Sequence, residues 1–225
     1  MHVVIVGGGA ALAQPLIDHW LSGFDDGGSL PFATIISAVC RRSKPKEEFA
    51  NLHVYDSMAD PSIIGPIDVL IIMPADFDNA PLEGMTDKQW DRVLESTLTV
   101  PFKALRTFLP WMQEESNVVV VGSIAGKLGG RGCANYAAAK AGLVGLVAAA
   151  ANESWDRGIC INLLESGYMD VGMGAQLSEK VRDSTKLAIP LGRFGTVEDF
   201  VLAVEFLAKT RYMTGNVLTL AGGLR

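Results

Sequence analysis

The stretch VVIVGGGAALA, residues 3–13, joins four consecutive apolar residues directly to three glycines. An apolar run without polar alternation is typical of a parallel strand that is buried on both faces. The glycines predict a tight turn, and the residues that follow have a helical pattern. The chain therefore opens with a strand, a glycine turn and a helix, which together form the first unit of an alternating α/β fold.

Six further apolar runs follow the same pattern, and helix-like segments separate them. We expect strands at Val3–Val6, Thr34–Val39, Leu52–Tyr55, Ile67–Met73, Val118–Gly122, Ile159–Leu164 and Asn216–Leu220. Alternation of strands and helices over the whole length predicts one domain, residues 1–225. Its expected architecture is a doubly wound, Rossmann-type parallel sheet of about seven strands with helices on both faces.

Two helix starts have the capping-box pattern, in which two side chains satisfy backbone donors reciprocally. Thr86 and Gln89 predict a helix that extends to Met112, and Thr196 with Asp199 predicts a helix to Lys209. The polar, glycine-rich segment Gly23–Ser29 is expected to be a surface loop before the second strand.

Composition excludes several classes of function. A net charge of −6 without a basic run argues against a nucleic-acid surface. The three cysteines, Cys40, Cys133 and Cys160, lack metal-ligand spacing and are expected to be buried reduced thiols, without a metal site. We expect no signal peptide, because the first apolar run already starts at Val3, and the run Ala137–Ala151, which contains Lys140, is expected to be too short and weakly apolar for a membrane span. We therefore expect a cytoplasmic protein.

The glycine turn is a candidate phosphate-binding loop. Glycines between a strand and a helix let the backbone approach a pyrophosphate at the positive end of the helix. The spacing here is G-x-x-x-A-x-A from Gly7, with Ala11 and Ala13 where glycines would be expected. Their methyl groups would crowd the cofactor or the contact between helix and strand. The alternative interpretation is a tight strand-to-helix turn without a ligand.

The end of the second predicted strand indicates which dinucleotide is bound. NAD sites usually have an acidic residue there, whereas arginine accommodates the 2′-phosphate of NADP. This chain has Arg41 and Arg42, and no acidic residue before Glu47. The sequence favours NADP(H) over NAD(H), although solvated arginines after a strand would give the same pattern.

Tyr136 and Lys140 lie four residues apart in an Ala-rich helical stretch, and Ser123 ends a predicted strand upstream. Four residues correspond to roughly 400° of helical turn, so the two side chains share one face. A lysine beside a tyrosine stabilises the phenolate, and a serine hydroxyl nearby can bind the same substrate oxygen. The arrangement predicts proton transfer to or from a carbonyl or an alcohol. The alternative is an exposed helix pair with an unrelated serine.

The ordered set of these motifs resembles the short-chain dehydrogenase/reductase family over nearly the whole chain. The resemblance is strongest after Ile67. It includes the strand and helix that carry Ser123, Tyr136 and Lys140. Further matching segments are Asp68-Val69-Leu70, Pro81-Leu82 to Trp90, Val93-Leu94, Pro190-Leu191-Gly192-Arg193, Glu198-Asp199, Phe206-Leu207-Ala208, Thr214-Gly215 and Gly222-Gly223.

The resemblance implies specific roles. Tyr136 would exchange the substrate proton, Ser123 would orient the substrate oxygen, and Lys140 would hold the nicotinamide ribose and lower the pKa of the tyrosine. Thr97 aligns with the catalytic-helix asparagine that supports a proton-relay water. The implied cofactor-binding residues are Gly7, Gly9, Ala11, Leu12, Arg41, Arg42, Asp56, Ser57, Pro74, Ala75, Tyr136, Lys140, Ser166, Gly167 and Met169.

The chain also departs from the family pattern around the cofactor. Ile72-Met73-Pro74-Ala75 replaces Asn-Asn-Ala-Gly, Thr97 replaces the asparagine, Ser166-Gly167 replaces Pro-Gly, and Val171 replaces a threonine. Only 26 residues separate Cys40 from Ile67, so the helices around the third strand are expected to be trimmed or lost.

The sequence favours an NADP(H)-dependent oxidoreductase that interconverts a ketone and a secondary alcohol. The altered cofactor residues favour the alternative of a non-redox protein on this scaffold, either a cofactor sensor or an inactive partner subunit. Dehydration or isomerisation by Tyr136 is a third alternative.

We expect a substrate lid over residues 168–191. Its apolar residues would either line the substrate site or serve ordinary helix packing. The resemblance implies a homodimer or homotetramer built from the helices of Thr86–Met112 and Tyr136.

Overall fold

The computed structural model describes residues 1–7, 11–22, 35–39, 52–55 and 65–225. Within them lies a sheet of seven parallel strands in the order β3-β2-β1-β4-β5-β6-β7. The strands are β1 His2–Val6, β2 Ile35–Val39, β3 Leu52–Tyr55, β4 Ile67–Ile72, β5 Met112–Ser123, β6 Cys160–Ser166 and β7 Val217–Leu220. Every run that was expected to be a strand contains one, and the predicted parallel sheet is confirmed.

Helices cover both faces of this sheet. They are α1 Ala13–Ser22, α2 Asp87–Leu94, α3 Val100–Phe108, α4 Ala125–Leu128, α5 Ala134–Asn152, α6 Glu179–Ala188 and α7 Val197–Lys209. One hydrophobic cluster joins α1 and α7 to the sheet, and a second joins α3 and α5 to it. The doubly wound, Rossmann-type fold is therefore confirmed.

The first strand shows why the apolar runs do not alternate with polar residues. Val3 and Ile5 belong to the cluster with α1 and α7, whereas Val4 and Val6 belong to the cluster with α3 and α5. All four are buried because successive strand residues point to opposite faces and both faces are covered.

The strand order reverses at β1. The chain runs from β1 outwards through β2 and β3, then returns to β4 on the other side of β1. In open α/β sheets, ligands bind beyond the carboxyl ends of the strands at such a point. This reversal places the expected cofactor crevice at the ends of β1 and β4.

Both predicted capping boxes are present. The Thr86 hydroxyl accepts from the Gln89 backbone N–H at 3.3 Å, and the Gln89 side chain accepts from the Thr86 backbone N–H at 3.0 Å. Thr196 and Asp199 form the same reciprocal pair at 3.1 and 2.8 Å. Helix α7 ends at Lys209, as predicted.

The helix that was expected to run unbroken to Met112 is divided. A π-helical turn, Glu95–Thr99, separates α2 from α3, and a 3₁₀ turn, Leu109–Trp111, follows α3. Pro101 has no N–H to donate, and the Val100 N–H bonds to the carbonyl of Glu95 instead of residue 96. Met112 is not helical but begins β5, where it pairs with Ile67.

Two expectations about apolar residues need correction. Helix α5 has 19 residues and a mean hydropathy of 1.3, so by length and composition alone it would be sufficient to cross a membrane. The apolar residues of α5 serve the core of this fold, because Leu143 and Val147 pack against the sheet.

Cys160 is buried and free as predicted, whereas Cys133 is free but only half-buried, since it precedes α5 in a surface turn.

Candidate active site

Ser123 is the last residue of β5 and pairs in register with Ser166, the last residue of β6. Both lie at the carboxyl edge of the sheet. The Ser123 hydroxyl accepts a hydrogen bond from the Ala125 N–H at 3.2 Å, at the start of α4, and the side chain is half-buried. A short helix directly after the strand therefore fixes the serine while leaving it accessible.

Tyr136 and Lys140 lie in the first turns of α5, on the face that packs against the sheet. They are 6% and 3% exposed, respectively. The Lys140 Nζ donates a 2.7 Å hydrogen bond to the carbonyl of Val121, two residues before Ser123. The same Nζ is 5.7 Å from the centroid of the Tyr136 ring. The structure thus brings together Ser123, Tyr136 and Lys140, the three residues predicted to transfer the proton. Tyr136 and Lys140 are buried, so the alternative of an exposed helix pair is wrong.

Burial raises the pKa of Tyr136 to about 12, which outweighs a hydrogen-bonding interaction with Ser123 that lowers it. The family resemblance implied a pKa below the ordinary value, through the charge of Lys140. The direction here is opposite because the phenol is almost completely removed from water, where its anion would be solvated. At neutral pH, the Tyr136 phenol therefore holds its proton.

Burial also lowers the pKa of Lys140 to about 7. The ammonium group has lost its water and gained one neutral carbonyl partner, Val121. Both the charged and the neutral form of this amine are therefore accessible near neutral pH.

Thr97 is fully buried in the π-helical turn. Its hydroxyl accepts from the Asp76 N–H at 3.3 Å and lies 3.3 Å from the hydroxyl of Ser96. The structure therefore gives Thr97 a direct contact with the segment that follows β4. Its proton-relay role stays a prediction.

The ends of β1 and β4 approach each other closely at Gly7. The Met73 N–H bonds to the Val6 carbonyl at 2.9 Å. Gly7 has φ +92°, and a Cβ on it would lie 3.0 Å from the Pro74 nitrogen. Only glycine fits this backbone conformation and this approach. Ala75, the next residue in the chain after Pro74, is exposed.

The loops after β1 and β6 also meet at this edge. A Cβ built on Gly172 would lie 3.2 Å from the Cβ of Ala11. Leu12 packs against the core cluster of α1 and α7, and Met169 is a buried member of that cluster. A Cβ on Gly167 would lie 2.8 Å from the Cα of Ala221, so this glycine permits close packing against the C-terminal segment.

Several predicted positions lie outside the described residues. They are Gly9, Arg41, Arg42, Asp56, Ser57, Cys40 and the loop Gly23–Ser29. Most of the shortened region between Cys40 and Ile67 also lies outside them. Among the residues that are described, no cluster of His, Cys, Asp or Glu is arranged to hold a metal ion.

Sequence reasoning missed two neighbours of the tyrosine. Asn135 is fully buried, accepts from the Tyr136 N–H at 2.8 Å, and donates to the carbonyls of Asp78 and Gln89 at 3.0 and 3.2 Å. Its position directly before Tyr136 was a signal that could have found it. Phe77 packs its ring against Tyr136. No sequence pattern indicated that contact, because it depends on how the segment after β4 folds back.

Comparison with known proteins agrees with this geometry. The sequence profile of the family described as "Enoyl-(Acyl carrier protein) reductase" matches residues 57–225. The chain is similar to the 3-oxoacyl-(acyl-carrier-protein) reductase FabG of Thermotoga maritima, with 36% identity over 164 residues that cover 71% of this chain and 67% of the relative.

Solved structures show the same fold. The crystal structure of levodione reductase matches with a TM-score of 0.85 and 23% identity, over 99% of this chain and 96% of that one. A short-chain dehydrogenase/reductase from Serratia marcescens matches with a TM-score of 0.83 and 21% identity, over 99% and 97%. With the serine, tyrosine and lysine assembled at the sheet edge, the chain belongs to the short-chain dehydrogenase/reductase family and is an NAD(P)-dependent enzyme.

Proposed function

We propose that this enzyme is an NADP(H)-dependent oxidoreductase that interconverts a ketone and a secondary alcohol. The observation that carries the proposal is the convergence of Ser123, Tyr136 and Lys140 at the carboxyl edge of β5. Tyr136 is nearly buried, Ser123 is accessible, and the amine lies 5.7 Å from the phenol ring. Two hydroxyls and an amine in this arrangement can bind and protonate one substrate oxygen.

The residues at the strand reversal fit a nicotinamide dinucleotide. Gly7 removes a side chain where β1 meets the segment after β4, and Ala11 and Gly172 bring two loops together at the same edge. Crevices of this kind bind dinucleotides. Pro74, Ala75, Ser166, Gly167 and Met169 would line this site, and Lys140 would hold the ribose. A bound nicotinamide supplies or accepts the hydride.

The chain's own residues would handle the proton. In the direction of reduction, the Tyr136 Oη gives its proton to the carbonyl oxygen, which the Ser123 hydroxyl holds by a hydrogen bond. A pKa of about 12 keeps the phenol protonated at neutral pH, as an acid requires. The charged form of Lys140 stabilises the tyrosinate that remains, because opposite charges attract strongly in a buried site. Thr97 would support the relay that returns the proton.

The preference for NADP(H) rests on the sequence, since Arg41 and Arg42 follow the second strand where a 2′-phosphate would lie.

We also assign a substrate lid to residues 168–191. Met173, Leu187 and Leu191 are exposed there and offer an apolar surface to a substrate, whereas Ile189 is buried. A cytoplasmic location would suit such an enzyme.

We further expect a homodimer or homotetramer that uses α5 and the helices of Thr86–Met112. The outer face of α5 supports this expectation, because its side chains are uncharged and mostly small. Its exposed residues are Ala138, Ala141, Val144, Gly145 and Ala149, with Asn152 at the last position of the helix.

A carbonyl screen tests the proposed function. The purified protein is mixed with NADPH or NADH and a panel of ketones, and the loss of nicotinamide absorbance is followed. In parallel, thermal unfolding is measured with each nucleotide, since a ligand of the folded state raises the melting temperature by mass action. We expect turnover of at least one ketone and a larger shift with NADPH. Absence of a shift with both nucleotides at millimolar concentration would refute the oxidoreductase function.

A further inference from the structure

The ring of Phe77 lies directly on the ring of Tyr136. The centroids are 4.1 Å apart and the planes are inclined by 33°. Phe77 belongs to the segment that follows β4 and is half-buried, whereas Tyr136 is buried. One face of the phenol ring is thus covered by an aromatic side chain that is itself partly exposed.

Arg92 holds the residues on either side of Phe77. Its Nε and Nη2 donate to the two carboxylate oxygens of Asp76 at 3.0 and 3.2 Å, and its Nη1 donates to Asp78 at 3.4 Å. The planar guanidinium matches a carboxylate with two parallel hydrogen bonds, which fixes direction as well as distance. We call Asp76, Asp78 and Arg92 the arginine clamp.

A second set of bonds ties the same segment to the two helices beside the site. Gln89 on α2 donates to the Asp78 carboxylate at 2.9 Å, and Asn135 on α5 donates to the Asp78 carbonyl at 3.0 Å. Asn135 also accepts from the Tyr136 N–H. Hydrogen bonds on both sides of Phe77 therefore tie its segment to α2 and α5, which places the ring against the tyrosine.

We propose that Phe77 is a specificity-determining residue: its ring forms a wall against the Tyr136 ring, so the enzyme accepts ketones that carry one small substituent. The inference rests on the proposed ketone reduction. The reacting carbonyl must bring its oxygen to Ser123 and Tyr136, and its two substituents then extend to either side. A substituent as large as a phenyl ring cannot occupy the space that Phe77 fills unless the arginine clamp opens.

Substrate selectivity tests the wall directly. Acetophenone has one methyl substituent, whereas benzophenone has two phenyl rings. In Phe77→Ala, we expect the ratio of kcat/KM for benzophenone to kcat/KM for acetophenone to rise by about tenfold or more, the scale on which apolar pockets discriminate size. Phe77→Leu should give a smaller rise. The matched control is Phe206→Ala, which truncates an exposed phenylalanine on α7 and should leave the ratio unchanged.

A substitution of Arg92 tests whether the arginine clamp positions Phe77. Arg92→Lys keeps the charge but loses the fork that bonds both oxygens of Asp76. We expect it to shift the substrate ratio in the same direction as Phe77→Ala, but less. A merely structural role for Phe77 would lower kcat/KM for both ketones equally and leave the ratio at the wild-type value.

Chemical labelling provides a measurement that needs no turnover. N-acetylimidazole acetylates accessible tyrosine hydroxyls, and mass spectrometry locates the label. Tyr212 is fully exposed and serves as the internal reference. The ratio of label at Tyr136 to label at Tyr212 should rise several-fold in Phe77→Ala and stay at the wild-type value in Phe206→Ala.

The selectivity and labelling measurements distinguish failure of the proposed reductase function from failure of the proposed Phe77 wall. If no ketone is turned over by the wild type but labelling of Tyr136 rises in Phe77→Ala, the reductase function is wrong and the covering wall is supported. If ketones are reduced and the selectivity ratio of Phe77→Ala equals that of the wild type, the wall is wrong and the reductase function stands. Unchanged labelling in a folded Phe77→Ala protein also contradicts the wall.

Discussion

The amine of Lys140 is bonded to the backbone carbonyl of Val121 at 2.7 Å, inside the protein. Val121 lies two residues before Ser123 on β5, and Lys140 lies one helical turn after Tyr136 on α5. This single buried bond therefore connects the strand that carries the serine to the helix that carries the tyrosine. Burial of the amine lowers its pKa to about 7, because removal from water disfavours its charge.

The pH dependence of folding should report this buried amine. Between pH 7 and its ordinary pKa near 10.5, Lys140 binds a proton in the unfolded chain but not in the folded protein. The free energy of unfolding should therefore rise with pH across this window, by at most about 1.4 kcal/mol per pH unit relative to Lys140→Met. Urea unfolding of the cofactor-free protein at pH 7, 8 and 9 measures the difference.

Lys180→Met removes an exposed lysine from α6 and is the matched control for that series. It should follow the wild type at each pH. Parallel stability curves for the wild type and Lys140→Met would mean that the buried amine keeps its ordinary pKa.

Helix α4 packs so closely on α5 at Gly126 that replacing this glycine with any other residue should destabilise the protein. A Cβ there would lie 2.7 Å from the Ala141 nitrogen and 2.8 Å from the Lys140 carbonyl carbon. We expect Gly126→Ala to destabilise the protein by about 1–3 kcal/mol, as overpacked sites do, and to lower turnover by displacing Lys140. Gly84→Ala, where a Cβ meets nothing within 4 Å, should instead be neutral or slightly stabilising. Equal melting temperatures of the two variants would contradict the close contact.

The outer face of α5 predicts how copies of the chain associate. Val144 is 39% exposed at the centre of this uncharged face. Val144→Glu would bury a charge in a helix interface, and we expect it to dissociate the assembly to monomers in light scattering after gel filtration. Val181→Glu places the same charge on an exposed residue of α6 and should leave the mass unchanged. A wild-type monomer, or a Val144→Glu oligomer of wild-type mass, would exclude this interface.

Local sequence signals were sufficient for most of the fold. The apolar run Val3–Val6 predicted a strand buried on both faces, and Thr196 predicted the start of α7, because both depend on neighbouring residues alone. The break between α2 and α3 was missed although its local cause, Pro101, is visible in the sequence.

The site was predictable only in part. The spacing of Tyr136 and Lys140 placed them on one face of a helix, which the structure confirms. Their pKa directions were not predictable from that spacing, because they depend on how completely the sheet and the segment after β4 exclude water. The contact of Phe77 with Tyr136 joins residues 59 positions apart, supported by the bond between Asp78 and Asn135, and no local pattern encodes it.

The Tyr136→Phe variant tests the central claim most directly. It removes the phenolic proton and keeps the ring that packs against Phe77, so the fold and the nucleotide site should be preserved. For a ketone that the wild type reduces, we predict that kcat falls by at least about 10²-fold, the usual contribution of an acid or base, while the NADPH-induced shift in melting temperature stays at the wild-type value. Turnover at the wild-type rate in Tyr136→Phe would show that the proton comes from another group and would contradict the account.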